Sequence, residues 1–209
     1  MKKSIIFLLF VALSVTAFSQ VKVRPGVRLG LNLSSVSNID HADAKIGPNA
    51  AIFANIRFAN FYALQPEATY SNQGAKDAIR YYNYGNSFDP GYYYYSEDLS
   101  IHYLGVALAN KFYIVPNVGV HLIVGPAIDV KVADNLDDDS IIPVDFSLFG
   151  GVGYEFPFGL GIEARYKQGL LDIRDDFYDN YDEDNDDFWS SDSVLNGSIQ
   201  FGVYYKFDF

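Results

Sequence analysis

The chain has 209 residues, no cysteine, one methionine, one tryptophan, 17 tyrosines, 17 phenylalanines and a formal charge of −11. Without cysteine it has no disulfide, no thiolate metal site and no lipoprotein anchor. It shows no basic patch on which nucleic-acid binding would rest, and roughly 190 residues after a leader suit a single domain.

Lys2 and Lys3 precede an apolar run from Ile5 to Leu13, and Ala17-Phe18-Ser19 fits a small-x-small cleavage site. This is the pattern of a secretory signal peptide over residues 1–19, too short to span a bilayer as a helix. Gln20 then begins the mature domain, 20–209. After Leu13 no apolar stretch approaches the length of a transmembrane helix, which argues against an inner-membrane location.

Alternation of apolar and polar residues predicts eight strands. The first, near Val23–Leu33, sets Val27, Leu29, Leu31 and Leu33 against Arg28, Gly30 and Asn32. Near Asn49–Phe58, Ile52, Ala54, Ile56 and Phe58 oppose Ala51, Phe53, Asn55 and Arg57. Near Tyr62–Asn72, Leu64, Pro66, Ala68 and Tyr70 oppose Gln65, Glu67, Thr69 and Ser71. Near Leu99–Ile114, Leu104, Val106, Leu108 and Phe112 oppose Gly105, Ala107, Ala109 and Lys111. The fifth strand, near Val118–Val132, has Leu122, Val124, Ile128 and Val130 against His121, Ile123, Asp129 and Lys131. The sixth, near Ile142–Phe156, has Phe146, Leu148, Val152 and Tyr154 against Asp145, Ser147, Gly153 and Glu155. The seventh, near Leu160–Gln168, has Ile162, Ala164 and Tyr166 against Glu163, Arg165 and Lys167. The last runs from Asn196 to Phe209, with Ile199, Phe201, Val203, Tyr205, Phe207 and Phe209 on one face and Gln200, Tyr204, Lys206 and Asp208 on the other. Each is long enough for a tilted strand to cross a bilayer.

Connections alternate in length. Ala59-Asn60, Pro116-Asn117 and Pro157-Phe158-Gly159 are tight turns, whereas Ser34–Gly47, Gln73–Asp98, Ala133–Ile141 and Gly169–Ser193 are long. Short turns at one end and long loops at the other match an up-and-down barrel of the outer membrane. Alternation alone does not say which face points inward, and a lipocalin-like soluble barrel would bury the apolar one. Three features favour lipid outside. Arg28, Arg57, Lys111, Lys131, Arg165, Lys167 and Lys206 share the polar faces with Glu67, Asp129, Asp145, Glu155, Glu163 and Asp208, beside small residues that suit a narrow interior. Aromatic residues collect at strand ends, as in an interfacial girdle. The closing strand ends on Phe209, as the last strand of an outer-membrane barrel does.

Leu64-Gln65-Pro66-Glu67-Ala68-Thr69-Tyr70-Ser71, with Gly74 following, resembles the pattern L-Q-P-E-L-x-Y-S-x-x-G. Tyr103-Leu104-Gly105-Val106-Ala107-Leu108 is similar to Y-L-E-I-P-L, with Lys111 after it. Gly125-Pro126, Gly151-Val152-Gly153-Tyr154-Glu155, and Arg165-Tyr166 with Gly169-Leu170 extend the match. Together they resemble the PorT-like outer-membrane β-barrel family over essentially the whole mature chain. Gly105 and Ala107 stand where that pattern has Glu and Pro, which removes one interior carboxylate. The namesake of the family takes part in a protein-secretion system, and that role is not carried over. The resemblance implies that the assembly machinery of outer-membrane barrels reads Phe209.

An eight-stranded barrel has an interior just wide enough for side chains. A hairpin centred on Phe158 would set Glu163 across from Gly153 and Arg165 across from Gly151. The polar interior then reads as a salt-bridged plug of Arg28, Arg57, Glu67, Lys111, Asp129, Asp145, Glu155, Glu163, Arg165 and Lys206, near balance in sign because unpaired buried charge is costly. A proton or small-ion path is the alternative. The segment Leu171–Asp192 is very acidic, but Asp182, Asp184 and Asp186 do not complete a calcium loop, since Asp187 replaces the turn glycine and Ser193 holds the twelfth position. It reads as a solvated acidic loop with at most weak calcium binding. Tyr81, Tyr82, Tyr84 and Tyr92, Tyr93, Tyr94 and Tyr95 flank Asp89-Pro90-Gly91. They read as a projecting β-hairpin with a D-P-G turn, or as a binding face for glycan or protein, since tyrosine is an amphipathic contact residue. Ser100 and His102 are the candidates for a hydrolase, without a carboxylate partner locatable in the sequence; His41 lies in a loop and His121 near the periplasmic end.

The expectation is therefore an all-β, eight-stranded antiparallel transmembrane barrel of the Gram-negative outer membrane. It is expected to be non-enzymatic, with a structural or surface-interaction role, and to need no cofactor or metal. Its expected partners are outer-membrane lipid, the barrel-assembly machinery through Phe209, and a glycan or protein at the long loops. An outer-membrane lipid hydrolase or acyltransferase, and an accessory component of a secretion system, are the alternative functions.

Overall fold

Alternating residues extend the backbone into strands, and every regular element of the described chain is one. A computed structural model describes residues 21–37, 43–84, 92–115, 118–135, 143–171 and 195–208. The strands are β1 (Lys22–Val36), β2 (Asp43–Ala59), β3 (Tyr62–Tyr84), β4 (Tyr92–Tyr113), β5 (Val120–Asp134), β6 (Val144–Glu155), β7 (Leu160–Gly169) and β8 (Asn196–Lys206). Each pairs antiparallel with the next, and β8 returns to β1 to close the barrel. Closure pairs both edges of the sheet, as a backbone in hydrocarbon requires.

The two faces separate cleanly. On β1, Leu29 is 67 % exposed and its neighbour Arg28 only 5 %. The outward surface carries Leu31, Ile52, Leu104, Val106, Leu122, Val124, Leu148, Val152, Ile162 and Val203, all exposed. The inward surface buries Asn32, Gln65, Glu67, Lys111, Asp129, Glu163 and Arg165. An apolar exterior around a polar interior is the inverse of a soluble barrel, so the lipocalin-like reading fails. Phe58 stacks on Tyr62, and Phe156 stacks on Phe158, at the end that bears the short turns, where an interfacial girdle sits.

The β6–β7 hairpin has the register expected from its sequence: Gly153 faces Glu163 and Gly151 faces Arg165. Its turn closes through Gly159, whose φ of 89° is a conformation that glycine adopts without penalty. The outer ends of the strands differ from the expectation. β1 and β2 continue into what read as a loop, and Gly47-Pro48 lies inside β2. Pro48 has no N–H to donate, and it falls where the β2–β3 ladder is interrupted between Ala44 and Asn49, so no ladder bond is lost. β3 and β4 run on beyond their neighbours, paired from Ile79↔Glu97 to Tyr84↔Tyr92 after an irregularity at Ala75–Ile79. At the other end Gly119, with φ of 86°, delays β5 to Val120. β8 stops at Lys206, although the amide of Phe207 still donates to Pro25. The leader, the Asp89-Pro90-Gly91 turn, the bulk of the acidic segment and Phe209 lie outside the described residues.

Arginine in place of Val106, an outward residue at mid-barrel, is expected to destabilise the folded protein by ~2–4 kcal/mol. Arginine in place of Ile46, exposed near the outer end of β2, is expected to cost ~0–1 kcal/mol. Urea titrations in lipid vesicles measure both, and equal costs would contradict the assignment of these two positions to different membrane depths.

Candidate functional site: the lumen and the outer hairpin

Side chains at inward positions of opposite strands meet in the narrow interior, and their charges sort into levels. At mid-barrel Arg165 makes two hydrogen bonds to Glu67, Nη1 to Oε2 at 2.9 Å and Nη2 to Oε1 at 2.6 Å. Its Nη2 also lies 2.8 Å from Glu163 Oε1. Arg28 donates to Glu163 at 2.7 Å and approaches Glu67 at 3.3 Å, and Lys111 Nζ donates to Glu163 at 3.3 Å. Asn55 donates to Gln65 at 2.9 Å, and Gln65 donates to Glu67 at 2.8 Å. The cations are covered by rings: Arg165 lies over Phe149 and Lys111 over Tyr204.

Toward the periplasmic end Lys206 pairs with Glu155 at 2.5 Å, and the Tyr113 hydroxyl donates to the same carboxylate at 2.8 Å. His121 is buried between Tyr113 and Tyr204, its Nδ1 2.9 Å from the Gly119 carbonyl. Toward the outer end Lys167 pairs with Asp129, to which Ser147 also donates, and Asp145 stands opposite Asp129 in the β5–β6 register. Beside them Asn49 donates to Asn32, Asn32 and Gln73 donate to Ser71, and Asn196 donates to Gln73.

Nine of the ten expected lumen positions thus lie in these three levels. Arg57 does not. It sits half-buried at the mouth, donating to the carbonyls of Ala59 and Asn60 and lying over the Tyr113 ring at 3.9 Å. The end of β2 lifts its guanidinium past Glu155, and backbone carbonyls of the turn take the carboxylate's place. Asp208 also leaves the interior: it is exposed and pairs with Lys22 and Arg24 at the rim. Lys131 pairs with Asp134 near the outer mouth. Gly105 faces inward, and a Cβ there would come within 2.4 Å of Asp129 Oδ1, so the space of the absent glutamate is taken by Asp129.

Sequence reading places Phe53 and Tyr204 on the polar face and assigns no face to Phe149 and Tyr103. Phe53, Phe149, Tyr103 and Tyr204 are buried on the inward face, and strict alternation was the available signal, since all four occupy polar-face positions. A cavity of about 20 Å³ lies beside Arg28, Glu67, Phe149 and Arg165, room for roughly one water. Ser100 and His102 fall on the outward face of β4. His102 Nδ1 meets the Tyr70 hydroxyl at 2.8 Å, its Nε2 meets Asn72 at 3.2 Å, and Asn72 donates to Ser100 at 3.1 Å.

The sequence profile described as "Outer membrane protein beta-barrel domain" matches residues 18–175. The chain belongs to this family. It is an outer-membrane protein built on a closed eight-stranded barrel. Neisserial surface protein A is similar in fold, at 15 % identity and a TM-score of 0.50, over 90 % of this chain and 100 % of that one. Ail, the attachment invasion locus protein of Yersinia pestis, solved with the heparin analogue sucrose octasulfate, gives 13 % identity and a TM-score of 0.49 over 89 % and 99 %. No curated protein matches the chain.

In this barrel Glu163 holds two cations and neighbours a third. Glu163→Ala is expected to cost ~3–5 kcal/mol, because it strands buried positive charge. Adding Lys111→Met, which removes one of those charges, is expected to recover part of the loss. Vesicle unfolding of the single and double variants measures this, and an unchanged single variant would mean that the charges are hydrated rather than paired.

Proposed function

We propose that this outer-membrane barrel is a non-enzymatic surface-interaction protein whose lumen is a plug and whose binding face for glycan or protein is the outer β3–β4 hairpin. The observation that carries this reading is the ribbon itself. β3 and β4 remain paired well beyond the last β2–β3 and β4–β5 pairs, Asp43↔Lys76 and Ile101↔Asp134. Tyr81, Tyr82 and Tyr84 and Tyr92–Tyr95 all lie on that stretch, with Tyr81↔Tyr95 and Tyr82↔Tyr94 as register partners. Tyrosine gives large contact area at low entropic cost. The paired backbone of the ribbon continues directly from the barrel wall.

The remaining finer points belong to the same reading. The interior charges act as structural ion pairs rather than as an ion path, since nearly all are bonded to one another and the space left suits about one water. The ring of His102 bonds to Tyr70 and Asn72, a set without the carboxylate that a hydrolase needs to orient its base. Leu64–Ser71 and Arg165–Gly169, the stretches that resemble the PorT-like branch, supply Glu67, Arg165 and Lys167 to the plug, which supports assignment to that branch. Residues 1–19 serve as the leader, and outer-membrane lipid covers the apolar exterior.

Replacing Tyr92–Tyr95 with serine is expected to abolish binding to glycan arrays or host-surface protein while heat-modifiable gel migration persists. Binding that survives the replacement would move the interaction face off the ribbon. Phe209 is proposed as the residue read by the assembly machinery. As packing alone it is worth only ~1.5–3 kcal/mol, so its deletion would lower stability and leave assembly intact. As a recognition signal, its deletion is expected to leave unfolded chains in the periplasm and to deplete the outer membrane, as quantitative fractionation would show.

A further inference from the structure

The outer level of the lumen is left incomplete by its own residues. Asp129 and Asp145 face each other in register across β5 and β6, and Lys167 pairs with Asp129 alone. The neighbouring cation, Lys131, is engaged by Asp134. One carboxylate at this level therefore has no side-chain cation of its own. Around it, buried oxygens lack a hydrogen-bond partner among the described residues: Asp129 Oδ1, Asp145 Oδ1, the Tyr103 hydroxyl, Asn196 Oδ1 and Ser198 Oγ. Each of these residues is no more than 5 % exposed. A buried polar atom without a partner costs about 1–3 kcal/mol, and five in one layer of a barrel are not explained by packing.

Asp145 and Asn196 also approach each other. Asp145 leans over Gly169, where a Cβ would lie 2.7 Å from its Oδ2 and 3.1 Å from the Asn196 carbonyl, which brings β6 and β8 together at this height. The carboxylates of Asp145 and Asp129 are the charges that act most strongly on the Tyr103 hydroxyl, which enters from β4. The interior of an eight-stranded barrel is only as wide as its side chains. Inward groups from β4, β5, β6 and β8 at one height therefore share one space. Two carboxylates with neutral oxygens around them are the ligand chemistry of a hard cation.

We infer that the outer level of the lumen holds an oxygen-ligated divalent cation, calcium, between Asp145, Asp129, Tyr103 and Asn196. This site is separate from the acidic segment 172–192, which carries nine of the chain's 21 aspartates but lacks a complete calcium loop. The ion closes the outer end of the plug by neutralising the carboxylate with which Lys167 forms no ion pair.

The test uses the full-length barrel refolded in detergent micelles, with calcium chloride against EDTA. Thermal unfolding and calorimetric titration are run on the wild type, on Asp145→Asn, and on a variant with Asp182, Asp184 and Asp186 changed to Asn. Wild type and loop variant are expected to bind one calcium and to melt several degrees higher in its presence. Asp145→Asn keeps the shape of the side chain and is expected to bind at least tenfold more weakly and to lose the gain. A gain that persists in Asp145→Asn and disappears in the loop variant would put the ion on the loop and overturn the inference. So would a wild type indifferent to calcium, which would mean that water alone fills the layer.

Discussion

Pairing of β1 with β8 is the contact on which the rest of the molecule depends. The two strands lie at opposite ends of the chain, yet eleven register pairs from Gly26↔Lys206 to Val36↔Asn196 join them. Without that seam, the free edges of β1 and β8 would expose unpaired amides and carbonyls to hydrocarbon, at several kcal/mol for each group. With it, the apolar face is committed to lipid and the polar face to a closed interior. The seam also has a kinetic meaning. It is the least local pairing in the fold and closes the longest loop, so the residues at the end of β8 are those on which completion waits.

Closure at eight strands then dictates what the interior contains. Large charged groups fit only where the facing wall is small. Glu163 and Arg165 stand opposite Gly153 and Gly151. The stem of Arg28 passes over Gly202, where a Cβ would lie 3.0 Å from its Cδ, and Tyr204 lies on Gly161, where a Cβ would meet the ring at 2.1 Å. The charges are as constrained as the volumes. Arg28, Lys111, Arg165, Lys167 and Lys206 face Glu67, Glu163, Asp129, Asp145 and Glu155, equal in number and divided unequally among the levels. Mid-barrel has the surplus cation and the outer end the surplus carboxylate. Rings laid against Arg165 and Lys111 ease the first imbalance, since the face of an aromatic ring attracts a cation.

Local periodicity made most of this legible. A period of two places most Val, Leu and Ile of the strands on one side without reference to any other strand, with Leu99, Ile101 and Ile123 inward, and the Pro157-Phe158-Gly159 turn sets the β6–β7 register by itself. What stayed hidden is non-local. That Arg165 would choose Glu67, 98 residues away, rather than another carboxylate depends on tilt and stagger around the barrel, which a single strand does not encode. Arg57 shows the same limit: its face was correctly read, but its height against Glu155 was not. For the aromatic residues, position outweighs type. Phe53 and Phe149 look lipid-facing by type and are inward by position, because an apolar ring beside an arginine is a packing partner rather than an error. The boundary of β2 failed for a further reason: Gly47-Pro48 carries turn-like composition inside paired backbone.

Rigidity of the interior bears directly on where such a protein can act. A lumen filled by mutually bonded charges resists rearrangement, since moving one residue unpairs several, and the outward face is held at constant hydrophobicity by the bilayer. Neither surface is free to acquire specificity without cost to the fold. The outer end of the barrel lies outside both constraints. There β3 and β4 continue as paired strands, so their backbone is tied to the barrel below. A surface that is ordered before contact loses less entropy on binding than a free loop does. In the proposed reading the plugged barrel is the stiff base on which a two-stranded ribbon, marginal by itself in water, is built.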